Sequence, residues 1–285
     1  MRVRLIGIAL CLLNLPSIQA GNPVTYTSAD SLEVVKLLAG VEDKDASPLF
    51  FANKFLGRPY VAHTLEVNGS NENLVVNLRQ FDCTTLVETA VALSITAKEK
   101  KKGFADFCRN LQNIRYRNGK ICGYASRLHY FSQWIDNNSE MRIVEDLGRD
   151  GKYPFVARQS IDLHYMTHNP QFYVQLKDDK NELEKIGLYE RDASGGEVCY
   201  IPKNLLKLGK DKLQVIHDGD VLALVTSVDG LDISHVGIAA WKAGKLHLFN
   251  ASSLKGKVVL DSKTLYEYQK KRASQLGIRV IRLCH

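Results

Sequence analysis

Apolar positions change their spacing along the chain, and the changes divide it into a helical first part and a stranded second part. Leu32, Val35 and Leu38 recur at helical spacing and predict an amphipathic helix with those three on one face. Ser47-Pro48 reads as an N-cap with proline at the first helical position, opening a second helix through Phe51 and Phe55 to Gly57. Gly57-Arg58-Pro59-Tyr60-Val61 predicts a turn into an extended piece carrying Thr64 and Glu66. Asn68-Gly69-Ser70-Asn71 predicts another turn before a strand at 74–78. After Cys83 the helical period returns, with Leu86, Ala90, Leu93 and Ala97 on one face and Val87 and Val91 beside them. So wide an apolar surface predicts a helix deep in the core. Residues 103–140 predict two more helices, the second at 126–135. Residues 141–200 carry short strands and then a polar helix near 181–186.

From Gln214 onward the pattern is that of strands. Val221-Leu222-Ala223-Leu224-Val225 follows the turn Asp218-Gly219-Asp220. Residues 233–241 and 246–251 flank Lys242-Ala243-Gly244-Lys245 and read as an antiparallel hairpin. Further strands are expected at 258–260 and 278–281, with a helix at 262–272 between them. Helices first and strands later, without βαβ alternation, indicate an α+β fold.

The N-terminus sets the compartment. Arg2 and Arg4, an apolar run over 5–15 and Ser17-Ile18-Gln19-Ala20 have the form of a cleaved secretory signal over residues 1–20. The run falls short of the roughly 20 apolar residues that span a bilayer. A lipoprotein anchor at Cys11 is disfavoured by Leu10, where a small residue is expected. Residues 21–285 are therefore expected to be one exported domain, periplasmic or extracellular, with no stable membrane insertion. Loss of the two arginines takes the formal charge from +7 to +5, which favours anionic polymers such as cell wall. Neither a nucleic-acid-binding motif nor aromatic-basic interleaving is present, so a nucleic-acid partner is not expected. Oligomeric state is left open.

Five cysteines remain past the signal: Cys83, Cys108, Cys122, Cys199 and Cys284. An odd number in an oxidising compartment leaves one thiol unpaired or bonded between molecules, and Cys83 is the candidate for the free one. The other four can pair in three ways or stay reduced. No Cys/His spacing of a zinc site occurs, nor a Gly-x-Ser-x-Gly elbow or a phosphate-cradling glycine loop. Neither metal nor organic cofactor is expected.

The candidate chemistry lies in Phe81-Asp82-Cys83-Thr84-Thr85 and Ser234-His235-Val236-Gly237-Ile238. A thiol at a helix start meets unpaired N–H groups and the positive end of the helix dipole, which favour thiolate. A histidine brought beside it from a strand completes a Cys-His nucleophile, so helix and sheet are expected to form the two walls of a cleft. A buried cysteine packing as a small hydrophobe is the plain alternative. The polar neighbours Asp82 and Thr84 weigh against it.

In that order, Gly57-Arg58-Pro59-Tyr60, the Cys83 and His235 segments, Gly219-Asp220-Val221 and Phe249-Asn250-Ala251-Ser252 resemble the NlpC-like papain-fold hydrolases. Ser126-Arg127-Leu128-His129-Tyr130-Phe131 and Asn250-Ala251-Ser252-Ser253 resemble one branch, the N-acetylmuramoyl-L-alanine amidase-like family. The likeness runs from about residue 30 to the end. It implies a papain-like α+β fold, with the nucleophile helix packed on an antiparallel sheet and a family-specific insertion at about 103–210. It implies Cys83 as nucleophile and His235 as base. The orienting group falls on Asn250, with His247 a rival on the opposite face of the same strand. Tyr60 resembles a tyrosine that approaches the site. Arg127 and His129 lie in the branch-specific helix, where two residues apart do not share a face; Arg127 is the better candidate to clamp a substrate carboxylate.

The activity implied is hydrolysis of the amide between muramic acid and L-Ala of peptidoglycan or its muropeptides. The alternative within the same chemistry is a γ-D-glutamyl D,L-endopeptidase. A catalytically idle wall-binding protein and a lipid acyltransferase are the rivals from other classes, the last weakened by the want of an anchoring segment.

Overall fold

The computed structural model describes residues 23–67 and 72–284. The expected signal at 1–20, Cys11 and the turn at 68–71 lie outside the described residues.

In chain order, strand β1 (Val24–Thr25) precedes helices α1 (Ser28–Ala39) and α2 (Pro48–Asn53). Strand β2 (Leu74–Val75) leads to α3 (Cys83–Lys98), α4 (Phe104–Arg115) and α5 (Phe131–Glu140). Strands β3 (Val144–Asp146) and β4 (Ala157–Ser160), helices α6 (Tyr165–His168) and α7 (Lys180–Ala193), and strand β5 (Glu197–Pro202) make up the middle. The last part is β6 (Val221–Thr226), β7 (Ile233–Lys242), β8 (Lys245–Ser252), β9 (Lys257–Thr264), α8 (Leu265–Lys270) and β10 (Gln275–Leu283). The fold is α+β. Its main sheet is antiparallel and eight-stranded, in the order β4-β5-β10-β6-β7-β8-β9, with β3 also on β10.

The sheet is covered on both faces, which explains the unbroken apolar run of β6. Val221, Ala223 and Val225 face the core shared with α1–α5, whereas Leu222 and Leu224 face a second core with Leu206, Leu213 and Leu265. A third core, with Tyr124, Tyr130, Ile161, Met166 and Ile186, lies beneath the inserted middle segment.

Three expectations change. Helix α1 forms, but it buries Asp30, Val34 and Leu38, while Leu32 is 70% and Val35 41% exposed. The cause is polar: Thr27 and Asp30 close a capping box, and the buried Asp30 carboxylate also accepts the Leu78 N–H at 2.9 Å. The strand expected over 74–78 is only β2, paired in parallel with β1. The helix expected over 126–135 starts at Phe131; a short 3₁₀ turn (Tyr124–Ser126) and an extended stretch precede it. Arg127 there pairs with Tyr116, and the Leu128 N–H donates to the Arg115 carbonyl, so long-range pairing overrides local helical preference.

Among the described residues no helix is long and apolar enough to cross a membrane. The cysteines there, Cys83, Cys108, Cys122, Cys199 and Cys284, are all free.

Candidate active site

Helix α3 is buried along nearly all of its faces and packs against β7, so its first turn is held rigidly against the sheet. Asp82 caps it. The Asp82 carboxylate accepts from the Thr85 N–H at 2.8 Å, and the Asp82 N–H donates to Thr85 Oγ1 at 3.0 Å. This box fixes the backbone one residue before Cys83, which is half-buried. The Cys83 sulfur meets the Thr84 hydroxyl at 4.0 Å and takes backbone N–H interactions from Val236 and Thr84. Val236 follows His235, so the tertiary fold brings together two segments about 150 residues apart in sequence.

The electrostatics differ from the sequence expectation. Burial and the neighbouring Asp82 carboxylate push the Cys83 thiol up to about 11, although the Val236 and Thr84 donors favour the thiolate. At rest Cys83 is a neutral thiol.

His235 stands on β7 directly after a bulge. Leu224 pairs with His235 but Val225 pairs with Ile233, so Ser234 is the extra residue, and such an irregularity re-aims the neighbouring side chain. Gly237 lets β8 approach closely, because a Cβ there would stand 2.7 Å from both the Phe249 carbonyl oxygen and Leu248 Cδ1. His235 Nε2 lies 3.1 Å from Asn250 Oδ1. The fully buried Asn250 turns its Nδ2 toward the Leu248 carbonyl at 3.4 Å, which leaves Oδ1 to accept from the imidazole. Nε2 then carries the proton and Nδ1 keeps its lone pair. Burial lowers the imidazole's basicity, Asn250 partly restores it, and Arg272 adds to the lowering. The imidazole bonds Asn250 rather than the thiol among the described residues. His247 is elsewhere: its Nδ1 contacts the Asp261 carbonyl at 3.0 Å in a buried position.

Tyr60 is set beside the thiol by backbone pairing. Tyr60 bridges Phe81, its N–H donates to the Gly256 carbonyl, and the Val61 N–H donates to that of Phe81. Burial raises the phenol's pKa, and the nearby Cys83 and Asp82 raise it further.

Comparison with known proteins fits this geometry into a family. The model of the N-acetylmuramoyl-L-alanine amidase-like family matches residues 50–278. The chain belongs to this amidase-like family. A crystal structure of an N-acetylmuramoyl-L-alanine amidase from Bacteroides uniformis is 40% identical, with a TM-score of 0.78, over 85% of this chain and 99% of that one. A "putative xylanase" from Bacteroides fragilis is 44% identical, with a TM-score of 0.76, over 82% of this chain and 100% of that one. A Legionella pneumophila protein, 22% identical over 90% of this chain and 94% of that one, shares the fold with a TM-score of 0.66. No curated protein matches.

In this amidase-like chain, Arg127 and His129 do not occupy a helix. Arg127 has extended backbone in an isolated bridge with Tyr116, and His129 lies outside any helix or strand. The Arg127 guanidinium stands 4.8 Å from the Tyr124 ring centroid, and the His129 ring 4.4 Å from it. Both side chains thus gather on Tyr124. Arg127 is buried and closed on Glu72, with Nε at 3.0 Å and Nη2 at 2.7 Å from its carboxylate oxygens. Burial opposes that charge, but the Glu72 hydrogen bonds and charge outweigh it, and the guanidinium holds its proton more tightly than usual. His129 Nε2 contacts the Tyr124 carbonyl at 2.9 Å; burial, helped by Arg127, drives its pKa down to about 3. The carboxylate-clamping capacity assigned to Arg127 is therefore already taken up inside the protein.

Two residues at the site went unread in the sequence. The Tyr268 ring stacks near His235, with centroids 6.3 Å apart and planes 20° from parallel, and Arg272 lies over Tyr268 at 4.0 Å. Tyr268 lies in α8 and Arg272 two residues past its end, and nothing in that local sequence names the sheet residue they meet. Among the described residues no three metal-ligating side chains gather into a site.

Proposed function

We propose that this protein is an exported cysteine amidase of papain-like, NlpC-type architecture that hydrolyses the N-acetylmuramoyl-L-alanine bond of peptidoglycan or its fragments. The observation that carries this reading is the meeting of the α3 start with β7: the Cys83 sulfur lies against the Val236 N–H, and the adjacent His235 is oriented by Asn250.

The reaction begins with the raised Cys83 thiol beside an imidazole whose basicity burial lowers. Cys83 attacks the lactyl carbonyl while its proton passes to His235 Nδ1, which Asn250 leaves free by holding Nε2–H. The developing oxyanion is met by the Cys83 N–H at the helix start, where no intrahelical carbonyl competes for it. Tyr60 lines the same place. The imidazolium then protonates the L-Ala nitrogen, the C–N bond breaks, and the stem peptide leaves as a free amine. His235 next deprotonates a water that attacks the thioester, releasing the lactyl carboxylate and restoring the thiol.

The xylanase name of one neighbour suggests glycoside hydrolysis as a second reading. Such chemistry ordinarily uses two carboxyl groups flanking the scissile bond. The carboxylate adjoining Cys83 is Asp82, and it is committed to capping α3, which favours the amidase reading.

Mass spectrometry of muropeptides incubated with the purified protein tests the proposal. The expected products are a stem peptide with a free L-Ala amine and a muramic acid with a free lactyl carboxylate. Release of L-Ala-γ-D-Glu, or a disaccharide still carrying it, would establish the endopeptidase instead. No cleavage at all would leave a wall-binding protein.

A further inference from the structure

Four arginines of this fold are closed on carboxylates: Arg115 on Glu88, Arg127 on Glu72, Arg279 on Asp146 and Arg282 on Asp220, each within 2.7 Å. Arg272, half-buried over Tyr268 and close enough to His235 to act on its charge, forms no ion pair among the described residues. It is nevertheless braced. Its guanidinium lies 4.0 Å from the Tyr268 ring centroid, and Nη1 donates to the Tyr268 carbonyl. Its backbone carbonyl accepts from Lys203 Nζ at 3.3 Å, and its N–H donates to the Gln269 carbonyl at 2.9 Å. One N–H is used and the rest of the fork is available. Tyr268 in turn stacks on His235, so the cation is tied through one ring to the imidazole.

We infer that Arg272, carried on Tyr268, is the subsite for the first carboxylate of the leaving peptide. This rests on the amidase reading. His235 must face the scissile nitrogen to protonate it, so the peptide departs along the imidazole's side of the cleft. Tyr268 and Arg272 stand on that side. The second residue of a γ-linked stem keeps its α-carboxylate outside the peptide backbone, which makes it the nearest anion to the cut. A planar fork, held in place and partly withdrawn from water, suits such a group. Arg127 cannot serve, since Glu72 engages it at two nitrogens.

Two muramoyl dipeptides that differ only at the second residue, D-glutamate or D-isoglutamine, test the inference. The wild type is expected to favour the acid over the amide roughly 10- to 100-fold in kcat/KM, chiefly through KM. Arg272→Gln should bring the ratio close to one, with the loss falling on the acid, and Arg272→Lys should recover part of it. Calorimetric binding of both dipeptides to Cys83→Ala should show the same preference without turnover. Equal losses on both substrates in Arg272→Gln would mean that Arg272 only braces Tyr268, and would overturn the inference. Cleavage of both by the wild type without discrimination would overturn it while leaving the amidase reading intact. If the wild type cuts neither and Cys83→Ala binds neither, the amidase reading falls and the inference falls with it.

Discussion

Two polar centres adjoin helix α3, and they are built oppositely. One has Cys83 at the first turn of α3 and, from the sheet, His235 held to Asn250 by the 3.1 Å contact between imidazole and amide. Further along, Glu88 of α3 meets Arg115 at 2.7 Å, both only 2% exposed, and Arg127 closes on Glu72 beyond them. In the charged centre each guanidinium finds its counterion inside the protein, so little capacity remains for a ligand. In the first centre a thiol and an imidazole nitrogen keep theirs. Charge alone is therefore a poor guide to function here. The arginine favoured as a carboxylate clamp is paired with Glu72, whereas the thiol and imidazole have no ion pair among the described residues.

The sharpest separation between the two centres comes from Cys83→Ala. It should reduce hydrolysis by at least about 10⁴-fold, as expected for loss of a nucleophile, with an unchanged thermal melting curve. Retained activity in this variant would end the cysteine reading. Arg127→Ala should do the reverse. Leaving Glu72 buried without its partner should cost about 3–5 kcal/mol of stability, read from denaturant unfolding. If stability holds and KM for muropeptide rises instead, Arg127 belongs to the substrate site after all.

Alkylation of Cys83 by iodoacetamide probes the neutral resting state. With the thiol pushed up to about 11, the thiolate fraction grows with pH throughout the range below that value. The rate should rise about tenfold per pH unit between pH 7 and 10. A rate already flat from mildly acidic pH would reveal a thiolate–imidazolium pair instead.

Asn250→Ala should lower kcat about tenfold, since the imidazole loses its orienting acceptor and one hydrogen bond. His247→Ala should leave kcat nearly untouched, because its contact is with the Asp261 carbonyl. The opposite ranking would exchange their roles. Tyr60→Phe should have the smallest effect, about two- to fivefold in kcat/KM, equivalent to a weak net hydrogen bond. A loss as large as that of Asn250→Ala would make the phenol part of the oxyanion site.

Much of this architecture is legible in residue order, because its causes are local. The change from the extended run before Cys83 to the helical period after it puts Cys83 at a helix start, which Asp82 and Thr85 cap. The glycine turn between Trp241 and Leu246 folds β7 onto β8, placing Asn250 on the strand beside His235. Alternating and helical periods likewise mark the α+β order and the strands of the last third. Other features depend on groups that meet only after the chain has folded. Leu32 is exposed because Asp30, tied to Leu78, determines which side of α1 turns inward. Arg127 is occupied because Glu72, 55 residues earlier, reaches it. The thiol is neutral because burial beside Asp82 opposes the pull of the helix start and its N–H donors. Tyr268 and Arg272 join the site because α8 ends beside His235. Periodicity and caps act within a turn or two of backbone and so can be read directly. Desolvation and long-range pairing act through space, and their balance exists only once the folded chain has excluded water.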